Sequence, residues 1–272
     1  MNFTTVVDIG QWNYVFPNIL VLESYKQKYT YGIFTGCGTT YNLLKAKIKA
    51  LDFKYGKVYT KLIPGFFNYF NLTTMTPNHD WITGTTMDRF VVPDFCEYTR
   101  YVHLDADTLI VSKDIFKLNE IEVSDRGLAA VPSPTTLVEH VLAFSAADFL
   151  LDQVKENKYT FNAGIMVFDT DKLKKHKFKD FIRDMYARGE NTAYINDELI
   201  LNLYDPGFKI LDDKYNVKVY LYEELKLSPE EVTVVHFSGK TYKPWSRTYF
   251  SNISKLRKYY GLWEYHYYSI FD

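Results

Sequence analysis

Short β-branched runs alternate with helically spaced apolar residues over the first fifty positions of the chain. Phe3 to Val7 has the length and composition of a strand, and Tyr14 to Lys28 carries Val15, Ile19 and Leu22 at helical spacing. Thr30 to Thr35 predicts a second strand, Gly36-Cys37-Gly38 breaks the pattern, and Asn42 to Leu51 predicts a second helix. Strand and helix in alternation predict an α/β fold with a mostly parallel, doubly wound sheet. In such sheets ligands sit beyond the carboxyl ends of the strands. No repeat or low-complexity linker divides the chain, so residues 1–272 read as one domain, with an aromatic helical tail from about 246 to 272. Residues Pro132 to Tyr159 predict a longer helical insertion before the Asn162-Ala163-Gly164 strand.

The apolar run from Tyr101 to Val111 contains two carboxylates, Asp105 and Asp107. Residues i and i+2 of an extended segment project to one side, so the pair can converge on a hard divalent cation. Carboxylates this close raise each other's proton affinity unless a cation compensates them. Local capping of a strand end explains an Asp-x-Asp equally well. Phe161 to Asp169 opens with small polar residues and places Asn162 at a strand entrance, with Gly164 leaving the backbone open to close approach. Asn196-Asp197-Glu198 has the pattern of a helix N-terminus, which capping alone accounts for. Val232 to Trp245 reads as a strand ending in His236, followed by a loop carrying Lys240 and Lys243.

Composition narrows the function classes. The 272 residues include 32 basic and 33 acidic side chains for a net charge of −1, so the basic field of a nucleic-acid binder is absent. Two cysteines, Cys37 and Cys96, supply neither a disulfide framework nor a four-sulfur zinc site, which points to a reducing, cytoplasmic setting. The first residues lack the charge and apolar stretch of a secretory signal, and no uninterrupted apolar run reaches membrane-spanning length. Asn2, Asn71 and Asn252 begin glycosylation-type triplets that read as chance in that setting.

Taken in order, these clusters resemble the family 8 glycosyltransferases, the group of glycogenin, galactinol synthase and the bacterial lipopolysaccharide galactosyltransferases. The carrying residues are the Tyr14-led helix, Leu104-Asp105-Ala106-Asp107-Thr108-Leu109, Phe161-Asn162-Ala163-Gly164, Asn196-Asp197-Glu198, and His236-Phe237-Ser238-Gly239 leading to Lys243-Pro244-Trp245. The tail Leu262 to Tyr268 is similar to the aromatic segment that closes such proteins. The resemblance implies a GT-A type, Rossmann-like domain that binds a nucleotide sugar. It implies transfer of a hexose from a UDP-sugar, UDP-glucose or UDP-galactose, to an acceptor hydroxyl with retention of configuration, and it admits a homodimer.

Carried over position by position, Asp105, Asp107 and His236 would hold the metal ion, with Mn²⁺ favoured over Mg²⁺ by the imidazole. Lys243 would donate to the diphosphate. Arg89, sixteen residues before Asp105, would be a cation reaching the donor. Asn162 and Asp197 would hydrogen-bond the donor sugar, Glu198 would lie near the reacting carbon, and Ala106, Ala163, Gly164 and Gly239 would line the donor. Asp8 and Tyr14 would meet the uridine.

Departures from the family pattern are local. Glu198 stands where relatives commonly have Gln. The His236 to Lys243 spacing is one residue longer than in glycogenin-like loops, which makes Lys240 an alternative phosphate contact. Gln11-Trp12-Asn13 replaces the Asn-Asp pair that often precedes the family's Tyr. Tyr215, Tyr220 and Tyr222 fall where glycogenin-like relatives carry a self-glycosylated tyrosine, although chance among 24 tyrosines explains their position as well. Two rival readings are a haloacid-dehalogenase-type phosphatase and a sugar-binding protein that kept the fold without turnover. The phosphatase pattern wants Thr or Val where this chain has Leu109.

Overall fold

In the computed structural model, the described residues are 1–72, 84–144, 154, 158–189, 197–222, 224–246 and 257–271. β1 (Asn2–Val6), β2 (Tyr29–Thr35) and β3 (Gly56–Leu62) pair in parallel, with a helix at Phe16–Ser24 between the first two and one at Gly38–Ala50 between the second two. β4 (Arg100–Leu104) returns to the other side of β1, Phe3 facing Val102. The strand order therefore reverses direction between β1 and β4, and that reversal opens the crevice where α/β sheets bind ligands.

The rest of the seven-stranded sheet is β6 (Leu128–Thr136), β7 (Tyr159–Asp169) and β8 (Lys209–Ile210), in the order β3-β2-β1-β4-β7-β6-β8. Only β7 runs against its neighbours, pairing antiparallel with both β4 and β6. This reversal matters for function, because it brings the first half of β7 beside the carboxyl end of β4, Leu104 opposite Ile165. A second sheet contains β5 (Thr108–Ile110), β10 (Val234–His236) and β9 (Val217–Lys218), in the order β5-β10-β9. Asn18, buried in the first helix, donates to Thr108 O at 3.0 Å and accepts from Ile110 N at 2.7 Å, occupying the backbone groups on the open edge of β5.

Alternate residues of the central strands enter the two cores that cover the large sheet. Tyr31, Ile33, Val102, Leu104, Ile165 and Val167 pack on one face, and Phe34, Tyr101, Met166 and Phe168 on the other. Burial on both faces explains why these strands read as continuous apolar runs.

The structure adjusts several sequence boundaries. The first helix spans Phe16–Ser24 and not Tyr14–Lys28: Pro17 sits in its first turn, and Lys26 leaves it with a left-handed φ of 56°. The second begins at Gly38, four residues before Asn42. Of the predicted helical insertion, Pro132 to Thr136 belongs to strand β6, Leu137–Phe144 is helical, and residues 145–153 and 155–157 lie outside the described residues. The aromatic tail forms a helix at Arg257–Phe271, while residues 247–256 and 272 lie outside the described residues. Phe271 packs on Trp12 at 5.9 Å, and Lys47 Nζ donates to Ile270 O at 2.6 Å. Among the described residues no helix is long and apolar enough to cross a membrane. Cys37 and Cys96 are both free thiols.

Candidate active site and metal centre

Asp105 and Asp107 stand where the chain passes from the large sheet into the small one. The segment is a turn rather than the extended i, i+2 geometry read from sequence: Thr108 N and Oγ1 both donate to Asp105 O, at 3.2 and 2.7 Å. Asp105 N is held by Gly164 O at 2.8 Å and Asp107 O by Phe237 N at 2.9 Å, which ties the turn to β7 on one side and to the end of β10 on the other. β10 pairs His236 with Thr108, so the imidazole arrives at the same place. One ligand atom from each of Asp105, Asp107 and His236 can be chosen so that all lie within 4.8 Å of one another.

Hydrogen bonds set the histidine tautomer. Asn216 Nδ2 donates to Asn162 Oδ1 at 3.0 Å, which turns Asn216 Oδ1 toward His236 Nδ1, also at 3.0 Å. Nδ1 therefore donates to Asn216, which leaves Nε2, 3.4 Å from Asp107 Oδ1, as the nitrogen that faces the carboxylates. Two carboxylates and an imidazole fixed in this way fit a divalent cation.

Both carboxylates are held in the charged form by neighbouring side chains. At Asp107 burial pushes the pKa up, but His236 and the Lys243 ammonium, which is hydrogen-bonded to Asp107 Oδ2, hold it well below the usual range. At Asp105 burial is again opposed, by Arg89 and then by His103, whose Nε2 lies 3.3 Å from Oδ1. The mutual repulsion that appeared to demand a metal is thus answered in large part by side chains.

Arg89 faces into the protein. Its side chain is 7% exposed, and its guanidinium donates to Asp105 Oδ1 at 3.0 Å, Ala163 O at 2.9 Å and Thr86 O at 3.0 Å, while Nε also lies 3.0 Å from Asp197 Oδ2. It clamps two acids from behind, Asp197 buried and Asp105 half-buried. Burial raises Asp197 to about 6 even against Arg89.

Asp197 opens the helix Asp197–Tyr204; Asn196 lies outside the described residues. One turn on, Asn202 accepts from Phe161 N at 2.8 Å and donates to Phe161 O at 2.9 Å, latching the helix to β7. That latch aims Glu198 at Asn162, whose Nδ2 donates to Glu198 Oε2 at 2.8 Å, with Ala163 N 3.3 Å from the same oxygen. Burial raises the Glu198 pKa, opposed by Lys218 and these donors. Asn162 lies within β7 and not at its entrance, because β7 begins at Tyr159.

Gly164 has a specific steric reason. A Cβ there would fall 2.2 Å from His236 Cε1 and 2.5 Å from Nδ1, so the imidazole rests directly on the glycine backbone. Gly164→Ala is expected to displace His236, weaken Mn²⁺ binding roughly 10- to 100-fold and lower stability by about 1–3 kcal/mol. Calorimetric Mn²⁺ titration and thermal melting measure both effects.

The remaining predicted residues are placed unevenly. Ala106 and Ala163 are buried beside the carboxylates. Gly239 adopts φ +88° ahead of the short turn of helix at Lys240–Tyr242, and the Lys240 side chain lies outside what is described. Asp8 follows β1 at the crevice and accepts from Gly10 N at 2.8 Å. Tyr14 stacks on Trp245 at 3.7 Å and 7°, and Lys243 Nζ lies 5.9 Å from the same indole, so the Lys-Pro-Trp loop joins these two. No direct contact joins Asp8 or Tyr14 to the carboxylate pair among the described residues. Tyr215 and Tyr222 are each 4% exposed, which removes them as accessible acceptors, whereas Tyr220 is 47% exposed. Asn216, His103 and Lys218 were not singled out from sequence: β9 is two residues long, too short for any periodicity, and His103 sits inside an apolar run.

A profile of Glycosyl transferase family 8 matches residues 13–249, and the chain belongs to that family. Glycosyltransferase GlyF of Streptococcus pneumoniae is 28% identical over 177 residues, 62% of this chain and 39% of GlyF. Glycosyltransferase GlyE of the same organism is 26% identical over 196 residues, 68% of this chain and 41% of GlyE. The chain spans about two-fifths of the length of these curated relatives. The crystal structure of the galactosyltransferase LgtC with donor and acceptor sugar analogs superposes with a TM-score of 0.71 at 16% identity, covering 99% of this chain and 96% of that one. The apo-form structure of GlyE gives 0.64 at 16% identity, covering 99% and 62%. The fold is the single α/β domain of the GT-A type that these neighbours share.

Proposed function

We propose that the protein is a metal-dependent retaining transferase that moves a hexose from a UDP-sugar, glucose or galactose, to an acceptor hydroxyl. The observation that carries this reading is the Asp105, Asp107 and His236 cluster, whose imidazole is joined through Asn216 to Asn162 and through Asn162 to Glu198. The three ligands would hold Mn²⁺, favoured over Mg²⁺ by the imidazole, and a bound ion supplies charge stabilisation to a departing diphosphate. Lys243 is close enough to exchange its Asp107 partner for a donor phosphate. Asp197 and Asn162 orient the donor sugar, and Arg89 fixes Asp197 and Asp105 relative to each other. Asp8 and Tyr14 receive the uridine at the crevice beside β1.

In the transfer, the acceptor oxygen bonds to the anomeric carbon as the bond to the diphosphate breaks. The electron pair stays with UDP, and the hydroxyl proton passes to the diphosphate on the same face. Glu198 then acts by charge near the reacting carbon and not as a nucleophile. A structure of LgtC has an active-site glutamine replaced by glutamate, the same residue pair that separates Glu198 from the family's common residue. Glu198→Gln is accordingly expected to retain substantial activity, and Asp197→Asn to lose more through donor positioning. A covalent adduct on Glu198, or complete loss in folded Glu198→Gln, would establish the nucleophilic route instead. The function itself is tested by incubating the protein with Mn²⁺ and a panel of UDP-sugars, following UDP release and the anomeric configuration of the product by NMR. No release with any UDP-hexose would reject it.

A further inference from the structure

A cavity of about 360 Å³ opens between β6 and β9, within the size range of small-molecule sites, roughly 300–1,000 Å³. Its inner surface includes Ser133, Asn216 and Lys218, which are 7%, 2% and 6% exposed. Asp213 and Glu224, both exposed, stand at its rim. Tyr159, 64% exposed at the start of β7, and Pro134 offer flat apolar faces at the wall. Asn216 belongs both to this cavity and to the donor side, where it bonds Asn162 and His236. A molecule in the cavity therefore lies one side chain from the place where Asn162 meets Glu198.

Lys218 has an unusual position for an ammonium. Nζ donates to Ser133 Oγ at 2.8 Å, and among the described residues this hydroxyl is its one hydrogen-bond acceptor. Three donors on one nitrogen leave two more for a ligand. Its charge is balanced at longer range by Glu198 and Asp213, which oppose the effect of burial on its pKa. Inner donors, outer carboxylate acceptors and flat aromatic and proline faces match a sugar ring, whose hydroxyls both donate and accept and whose C–H face packs on rings. An anionic ligand would instead meet the carboxylates of Asp213, Glu224 and Glu198 against the single charge of Lys218.

Resting on the transferase reading above, we propose that this cavity is the acceptor site and that it takes a neutral saccharide, read by Lys218 and Ser133. The test is saturation-transfer NMR with lactose, maltose and cellobiose, against glucuronic acid and glucose 6-phosphate. The proteins compared are wild type, Lys218→Met, and Pro134→Trp, which fills the cavity mouth from an exposed position. At least one neutral disaccharide is expected to bind wild type more tightly than either acidic sugar, and both variants are expected to weaken it by about tenfold or more. Tighter binding of the acidic sugars, no binding of any neutral one, or neutral binding indifferent to both variants would overturn the proposal. UDP release from UDP-hexose is followed in the same preparations. Its absence contradicts the transferase reading, whereas its presence alongside any of those outcomes rejects the acceptor assignment alone.

Discussion

Asp107→Asn is expected to lower UDP release from UDP-hexose by about a thousandfold or more, since a Lewis acid stabilises transition-state charge by several kcal/mol. The amide keeps the shape of the side chain but removes the charge that faces His236 Nε2 and the Lys243 ammonium. An amide nitrogen at this position would also present a donor to groups that need an acceptor. The fold should survive, because the turn is held by backbone: Asp107 O accepts from Phe237 N, and Thr108 closes on Asp105 O. Lys243, 23% exposed, can turn to solvent once its partner is gone. A cooperative melt near the wild-type temperature with activity lost is the expected pairing. A folded variant with activity within a few-fold of wild type would separate Asp107 from the reaction.

Arg89→Met carries the largest expected effect on stability. Removing one partner of a buried ion pair typically costs about 3–5 kcal/mol, because the other charge stays buried without compensation. Here one guanidinium serves both Asp105 and Asp197. The sign with pH follows from Asp197, whose folded pKa is already raised to about 6 by burial with Arg89 opposing. Without Arg89 it rises further, so the folded state binds more protons than the unfolded state from near pH 4 upward through that higher pKa. Stability is then lost as pH rises through this window, and the deficit against wild type should be greater at pH 8 than at pH 5. Denaturant melts of both proteins at the two pH values measure it. An equal deficit at both would show that Arg89 supports the fold by packing alone.

Much of this architecture is written locally, and the exceptions have physical causes. The alternation of β-branched runs and helical spacing from Phe3 to Ala50 marks the first half of the sheet because each element buries its own pattern. Strand direction has no such local mark. β7 reads as an apolar strand whichever way it runs, yet only the reversed direction places Asn162 and Gly164 beside Asp105. The apolar run from Tyr101 to Val111 looks continuous, but it divides between two sheets at Asp105 to Asp107, because Thr108–Ile110 finds its partner more than a hundred residues later in Val234–His236. That Asp105, Asp107 and His236 form one cluster was legible; the turn that converges them was not. Arg89 could be marked by its spacing from Asp105, but whether a guanidinium faces a ligand or two internal acids depends on burial that spacing does not encode. Asn216 and Lys218 gave no signal, since a two-residue strand has no period and their partners are far along the chain.

The central claim, that Asp105, Asp107 and His236 share one divalent ion required for donor turnover, is tested most directly by chelation and readdition. UDP release from a turned-over UDP-hexose is followed in excess EDTA and then as Mn²⁺ is titrated back, with circular dichroism recorded at each step. The account predicts no release in EDTA, an unchanged spectrum, and recovery on Mn²⁺ that Asp107→Asn and His236→Ala do not show. Release that continues in EDTA at the wild-type rate would contradict it.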